Sequence, residues 1–179
     1  STKILKKNIS YLFAFFLILV PLHIKADPLS LMSPMPNHKV APDFELIGFD
    51  ENYYTLKDFR GKFVLLNFWA TWCYPCIEEM PSLEAVFQHM DDTKFLVVGI
   101  HAGPGPDNIK EFLKRNPVTF PILIDMDLEL GPPDWKIAGI PTTFLINPEG
   151  KMLYFAQGKR DFSSRRMISF FEEIVNKHY

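Results

Sequence analysis

The chain has 179 residues, 47% of them hydrophobic and 15% aromatic, which is enough for one sizeable core and excludes disorder over its whole length. Nineteen basic residues against 21 acidic ones give a formal charge of −2 at pH 7, so no electrostatic footprint for nucleic acid is present. There are only two cysteines, and His23, His38, His89, His101 and His178 are scattered without ligand-like spacing, which leaves no structural zinc site and no metal ligand set.

The first 26 residues stand apart from the rest. Lys3, Lys6 and Lys7 precede an uncharged apolar run from Ile9 to Leu22, and Ile24 and Ala26 occupy the third and first positions before a candidate cleavage site. These are the parts of a secretory signal peptide. As a helix the run would span ~21 Å, short of the roughly 30 Å hydrocarbon core of a bilayer, so export with removal is favoured over a membrane tether through residues 9–22. No cysteine stands near the end of the run, so a lipid anchor is not indicated. Without Lys3, Lys6, Lys7 and Lys25 the remainder carries 15 basic against 21 acidic residues and is more acidic still.

Residues 27–40 include Pro28, Pro34 and Pro36 and read as an extended linker, with order expected from about Ala41 onward. Asp43–Gly48 alternates as a short strand, and Tyr53–Thr55 is its expected hairpin partner, followed by a helical turn before Gly61. Lys62–Trp69 is almost continuously apolar, as a central strand covered on both faces should be. A helix is expected over Glu78–Met90, interrupted at Pro81, and a second buried strand over Phe95–Ile100. Asp107 is the expected cap of a helix reaching Arg115. A short strand, Pro121–Asp125, comes next. Thr142–Asn147 and Lys151–Phe155 form two more, joined by the turn Asn147-Pro148-Glu149-Gly150. Ser163–Lys177 closes the chain as a helix with Phe170, Phe171, Ile174 and Val175 on its apolar face. Strands alternating with helices imply an α/β domain over residues 41–179, built on a mixed sheet.

Both cysteines lie in Cys73-Tyr74-Pro75-Cys76, directly after the apolar strand. Closing a four-residue loop removes only about 2 kcal/mol of unfolded-chain entropy, against nearly 5 for about 100 residues, so stapling is a poor reason for the pair. A reactive dithiol is the better one. At the start of a helix, unpaired N–H groups and the helix dipole favour an anion at the first sulfur, which makes Cys73 the expected nucleophile. Cys76, one turn further in, is the expected resolving thiol. Pro75 suits a first helical turn. Trp72 is read as an apolar shelf for a partner protein and Trp69 as core. Tyr74 contacts substrate, tunes the dithiol or is a neutral surface residue. His101 is read as a surface loop histidine. Gly103-Pro104-Gly105-Pro106-Asp107 is a rigid turn without the lysine or serine of a phosphate cradle.

Taken together, Ala41-Pro42-Asp43-Phe44, Phe59-Arg60-Gly61-Lys62, Asn67-Phe68-Trp69-Ala70-Thr71-Trp72-Cys73, Glu78-Glu79-Met80-Pro81 and Gly139-Ile140-Pro141-Thr142-Thr143-Phe144 resemble the thioredoxin superfamily. Within it they resemble the exported TlpA/ResA-like thiol:disulfide oxidoreductases of the redoxin type, over Ala41–Lys177. The resemblance implies a thioredoxin-like fold, a central mixed sheet flanked by helices, with an N-terminal β-hairpin extension and no cofactor beyond the dithiol. It implies clients that are disulfide-bearing proteins on the extracytoplasmic side of a bacterial membrane, with cytochrome c maturation as the family's commonest setting. A reductant there needs a membrane electron donor of the DsbD or CcdA kind. Pro141 matches the family's cis-proline, which faces the dithiol, although spacing alone allows an ordinary strand-start proline. Asn67 stands where thioredoxins proper carry a proton-relaying aspartate, and an amide cannot relay. The ResA-like branch carries a glutamate in the helix instead, matched by Glu79, three residues past Cys76 and on the same helix face.

Three rival readings remain. Disulfide-introducing oxidation or isomerisation uses the same residues. A peroxiredoxin-type peroxidase lacks its proline and threonine before the cysteine here. A Sco-type copper-binding assembly factor needs cysteines three residues apart and a matching histidine.

Overall fold

The computed structural model describes residues 31–131, 133–135 and 137–179. The expected signal peptide or tether, and the first part of the linker, lie outside the described residues.

Eight strands form one sheet in the order β1-β8-β7-β4-β5-β6-β2-β3. Its centre is β4 (Phe63–Trp69), seven consecutive buried residues. The pleat sorts them: Phe63, Leu65 and Trp69 enter one apolar cluster, and Val64, Leu66 and Phe68 enter the other. Burial of such large apolar side chains is worth roughly 1.5–3 kcal/mol each, so a strand loaded on both faces has no stable place except the middle. It pairs in parallel with β5 (Phe95–Ala102) and antiparallel with β7 (Thr142–Ile146), which gives the mixed sheet expected from the sequence. Parallel β6 (Ile122–Asp125) follows β5, and antiparallel β8 (Met152–Gln157) follows β7. The hairpin of β2 (Glu45–Gly48) and β3 (Tyr53–Thr55) is added at the β6 edge.

Among the described residues the three α-helices, α1 (Tyr74–His89), α2 (Pro106–Arg115) and α3 (Arg165–His178), bury side chains in the first cluster. The second is closed by Ala41, Phe44, Leu56, Phe59 and Trp135, none of which lies on these helices. At the β7–β8 turn Gly150 has φ +84°, and any Cβ there would overlap the Arg60 guanidinium.

Several local expectations change. Pro81 does not interrupt α1, which begins four residues earlier than expected and runs through it, because Cys76, Met80, Leu83 and Val86 are all buried along one side and packing outweighs one missing N–H. Gly105 and Pro106, rather than Asp107, open α2. Ser164 caps α3, its hydroxyl accepting from the Met167 amide. Order begins before Ala41: β1 (Ser33–Pro34) pairs with Phe155 and Tyr154 of β8, and Met32 is buried in the first cluster. A proline is tolerated there because β1 is an edge strand.

Candidate active site

The centre of the site is the end of β4. Its last residue, Trp69, is wholly buried, and the chain turns through Ala70–Trp72 into α1, whose N-cap is Cys73. Cys73 and Cys76 form a disulfide with Cα atoms 5.2 Å apart. Cys73 is 6% exposed and Cys76 1%, so the first sulfur is the one nearer the surface. The N-cap Cys73 makes no side-chain cap hydrogen bond, and Pro75 has no N–H to leave unpaired in the first turn. Trp72 and Tyr74 flank Cys73 with 74% and 70% of their surfaces exposed, an apolar rim at the mouth of the site.

Facing the disulfide is the loop before β7. The Ile140–Pro141 bond is cis, and the Ile140 carbonyl oxygen lies 3.7 Å from Cys73 Sγ. The Pro141 carbonyl accepts the Gly158 amide at 2.8 Å, and the Thr142 hydroxyl donates to the Gly139 carbonyl at 2.6 Å.

Behind the disulfide, Glu79 is 1% exposed. Its Oε1 accepts Asn67 Nδ2 at 2.7 Å and its Oε2 accepts the Arg160 amide at 2.7 Å. Burial pushes the Glu79 carboxyl up to about 7, against the opposing pull of those two hydrogen bonds and of the Arg160 and Lys159 charges. At that value the acid and the carboxylate are nearly equally populated at neutral pH. Asn67 Nδ2 also donates to Thr143 Oγ1 at 2.9 Å, while its Oδ1 is buried without a partner among the described residues. A flipped Asn67 would offer Oδ1 to the protonated acid, so one amide has a bond for either form of Glu79.

The structure bonds Cys73 to Cys76, sets the Ile140–Pro141 loop beside Cys73, and buries Glu79 one helical turn past Cys76. Sequence reasoning did not find the pairing of Asn67 with Glu79. A polar residue in an otherwise apolar central strand is the signal that could have exposed it. It also missed Thr143, opposite Asn67 in the β4–β7 register, and the Arg160 amide.

His101 is a correction. It is no surface loop residue, because β5 runs two residues beyond the expected Ile100 and buries it to 1% exposure. Its ring meets Trp69 edge to face at 5.1 Å. Nε2 accepts the Thr71 amide at 3.1 Å and Nδ1 lies 3.0 Å from the Gly103 carbonyl, which assigns the proton to Nδ1 and a neutral ring. Burial holds its pKa below the ordinary histidine value. The residue thereby fixes the turn that delivers Cys73.

Residues 38–155 match the family model described as the AhpC/TSA family. The chain belongs to the AhpC/TSA family. Among its relatives, the thiol-disulfide oxidoreductase ResA of Bacillus subtilis is 36% identical over 118 residues, covering 66% of this chain and 65% of ResA. The chain thus spans just under two thirds of that relative's length. Among solved structures, the thioredoxin domain of a thiol-disulfide oxidoreductase from Bacteroides vulgatus superposes with a TM-score of 0.69 at 24% identity, covering 79% of this chain and 99% of that one, a likeness of fold. A thiol:disulfide interchange protein of the thioredoxin family from Chlorobium tepidum gives 0.61 at 26% identity, covering 76% and 97%. Within the AhpC/TSA family the chain is therefore ResA-like, with the thioredoxin-type fold expected from its motifs.

Proposed function

We propose that this chain is an extracytoplasmic thiol:disulfide oxidoreductase that reduces disulfides in exported proteins. The observation that carries the reading is the arrangement around one helix end: a disulfide at the α1 N-terminus, a cis-proline carbonyl loop in front and a carboxyl poised near neutrality behind. The name of its ResA relative agrees with that chemistry.

In the forward reaction the Cys73 thiolate attacks one sulfur of a client disulfide. That S–S bond breaks, a mixed disulfide forms, and one client thiolate leaves. Cys76 then attacks the Cys73 sulfur, releases the second client thiolate and closes the Cys73–Cys76 disulfide, so two electrons pass to the client. The proton that Cys76 loses is taken by the Glu79 carboxylate. The cis-Pro141 loop leaves backbone groups beside Cys73 on which an extended client segment pairs, and the exposed Trp72 lies beside the same approach. A membrane thiol donor of the DsbD or CcdA kind restores the dithiol, and apocytochrome c is the client class the family resemblance favours. Among the described residues no helix is long and apolar enough to cross a membrane, so any tether through residues 9–22 lies outside them.

The test is the reduction potential. The full chain is equilibrated in dithiothreitol or glutathione buffers, and the oxidised fraction is read by thiol alkylation and mass. A potential below roughly −220 mV supports the reductase, and one near about −120 mV makes the protein an oxidant instead. Cys76→Ser should accumulate mixed disulfides through Cys73, whereas unimpaired turnover of that variant would remove the mechanism.

A further inference from the structure

The turn after β8, residues 157–160, holds both halves of the site at once. Its Gly158 amide donates to the Pro141 carbonyl at 2.8 Å, and its Arg160 amide donates to Glu79 Oε2 at 2.7 Å. Gly158 has φ +82°, a left-handed conformation that glycine adopts without steric cost and that lets the chain turn back toward α1. The Arg160 side chain braces this turn. Its Nη1 faces the carbonyls of Gln157, Gly158 and Lys159 at 3.2, 3.3 and 3.0 Å, folding the guanidinium back over its own turn. Its Nε donates to the Leu31 carbonyl at 3.0 Å. Leu31 leads directly into Met32, 3% exposed in the same apolar cluster as Cys73 and Cys76, and then into β1, whose pairing with β8 is continued by the Met35 amide on the Leu153 carbonyl at 2.8 Å. Ser82 ties the turn to α1 from below: its hydroxyl lies 2.8 Å from the Glu79 carbonyl and 3.4 Å from that of Arg160, and it accepts the Phe162 amide.

We propose that Arg160 is a positioning residue for the site, locking the 157–160 turn so that two successive amide contacts hold the cis-proline loop and the Glu79 carboxyl together, and passing the order of the Leu31–Pro34 segment to both. The segment that precedes the domain is then part of the active site's support. Loosening it changes the proton affinity of a carboxyl that it does not touch.

The charged surroundings of Glu79 are few. Arg160 and Lys159 come from the turn, Lys159 pairing with Glu78 of α1 at 3.0 Å, while β4 presents the neutral Asn67 with Thr143 of β7 beyond it. A charge-keeping variant therefore separates geometry from Coulomb attraction. Arg160→Lys keeps the cation and loses the fork that binds several carbonyls at once.

This inference rests on the proposed role of Glu79, so its readout is independent of turnover. In the oxidised full chain with carbon-13 in the glutamate carboxyls, the Glu79 resonance is assigned by its loss in Glu79→Gln and titrated by NMR. Losing a well-placed amide donor to a carboxylate raises its pKa by on the order of one unit, a tenfold gain in proton affinity, which is the shift expected of Arg160→Lys. Met32→Ala, which slackens the segment without touching the turn, should move the midpoint the same way by less, and Met32→Leu should leave it in place. An unmoved Glu79 midpoint in a folded Arg160→Lys protein, or in Met32→Ala, overturns the proposal. Should either variant fail to fold, hydrogen exchange of the wild-type Arg160 amide decides: strong protection is expected, and exchange at the rate of an open peptide overturns it. If the midpoint moves while the pH profile of thiol exchange stays put, the positioning role stands and the proton-shuttle reading of Glu79 falls.

Discussion

Glu79, within α1, and His101, bonded to the turn before it, are both buried, and burial acts on them with opposite results. Glu79 and His101 are both 1% exposed, and in both the loss of water disfavours the charged form. For the acid this raises the pKa to about 7 and places its titration at neutral pH. For the base it lowers the pKa below the ordinary histidine value, away from neutral pH. The hydrogen bonds complete the contrast. Around Glu79, Asn67 can exchange its ends to serve either the carboxylate or the acid. Around His101 the shorter contacts favour the neutral ring, with Nε2 accepting the Thr71 amide at 3.1 Å, closer than the Thr71 hydroxyl at 3.4 Å, and Nδ1 donating to the Gly103 carbonyl. Equal exposure leaves one group whose pKa is raised to about 7 and one whose pKa is lowered from the ordinary histidine value.

Stability measured against pH can break this contrast most sharply at Glu79. A carboxyl whose folded pKa is raised adds stability that is complete below its unfolded value near 4.5 and is lost as pH rises through the folded value of about 7. Over that window oxidised wild-type protein should lose about 3 kcal/mol relative to Glu79→Gln, whose amide does not titrate. Thiol exchange by the variant at pH 7 should be slower by about a hundredfold, the lower range for loss of a general acid–base group. Parallel stability curves for the two proteins between pH 4.5 and 7 would show that Glu79 is an ordinary ionised glutamate.

His101 should give the opposite sign and a smaller effect. A base whose folded pKa is depressed adds stability that is present above its unfolded value near 6.5 and is lost as pH falls through the folded one. His101→Gln keeps an acceptor for the Thr71 amide and loses the Gly103 bond, so it should cost about 1 kcal/mol at pH 7 and remove this acid-side decline. The neutral-pH midpoint of thiol exchange should stay where Glu79 sets it. A midpoint that moves with His101→Gln would mean that the histidine is itself the proton carrier.

The contrast also explains what the sequence disclosed. Much that local spacing carries was legible, such as the continuous apolar run of β4 and the dithiol at a helix start, while the bounds of α1 and the cap of α2 were not. Pro141 was legible through its motif. Features made by distant pieces of chain were not. Asn67 meets Glu79 only because β4 packs beneath α1, and it meets Thr143 only through a register between strands 76 residues apart. His101 was misread because the apolar signal of β5 fades at Ile100 while the strand itself continues to Ala102, held by pairing with β6. Met32 and β1 gave no periodic signal at all, since two residues cannot show one.

Asn67 offers the finest cut through the comparison, because it separates burial from hydrogen bonding as the source of the Glu79 proton affinity. Burial raises that affinity and the Asn67 donor opposes it. Asn67→Ala removes the donor and leaves the helix, the Arg160 amide and the apolar packing in place. If desolvation dominates, the Glu79 midpoint should rise further, by about half a unit to one unit, as expected for the loss of one hydrogen bond to a charged group partly offset by the space left behind. A midpoint that falls instead would mean that water has entered beside Asn67 and solvates the carboxylate better than the amide did. The Asn67 position would then control access of water to the acid, and the contrast with His101 would turn on hydration.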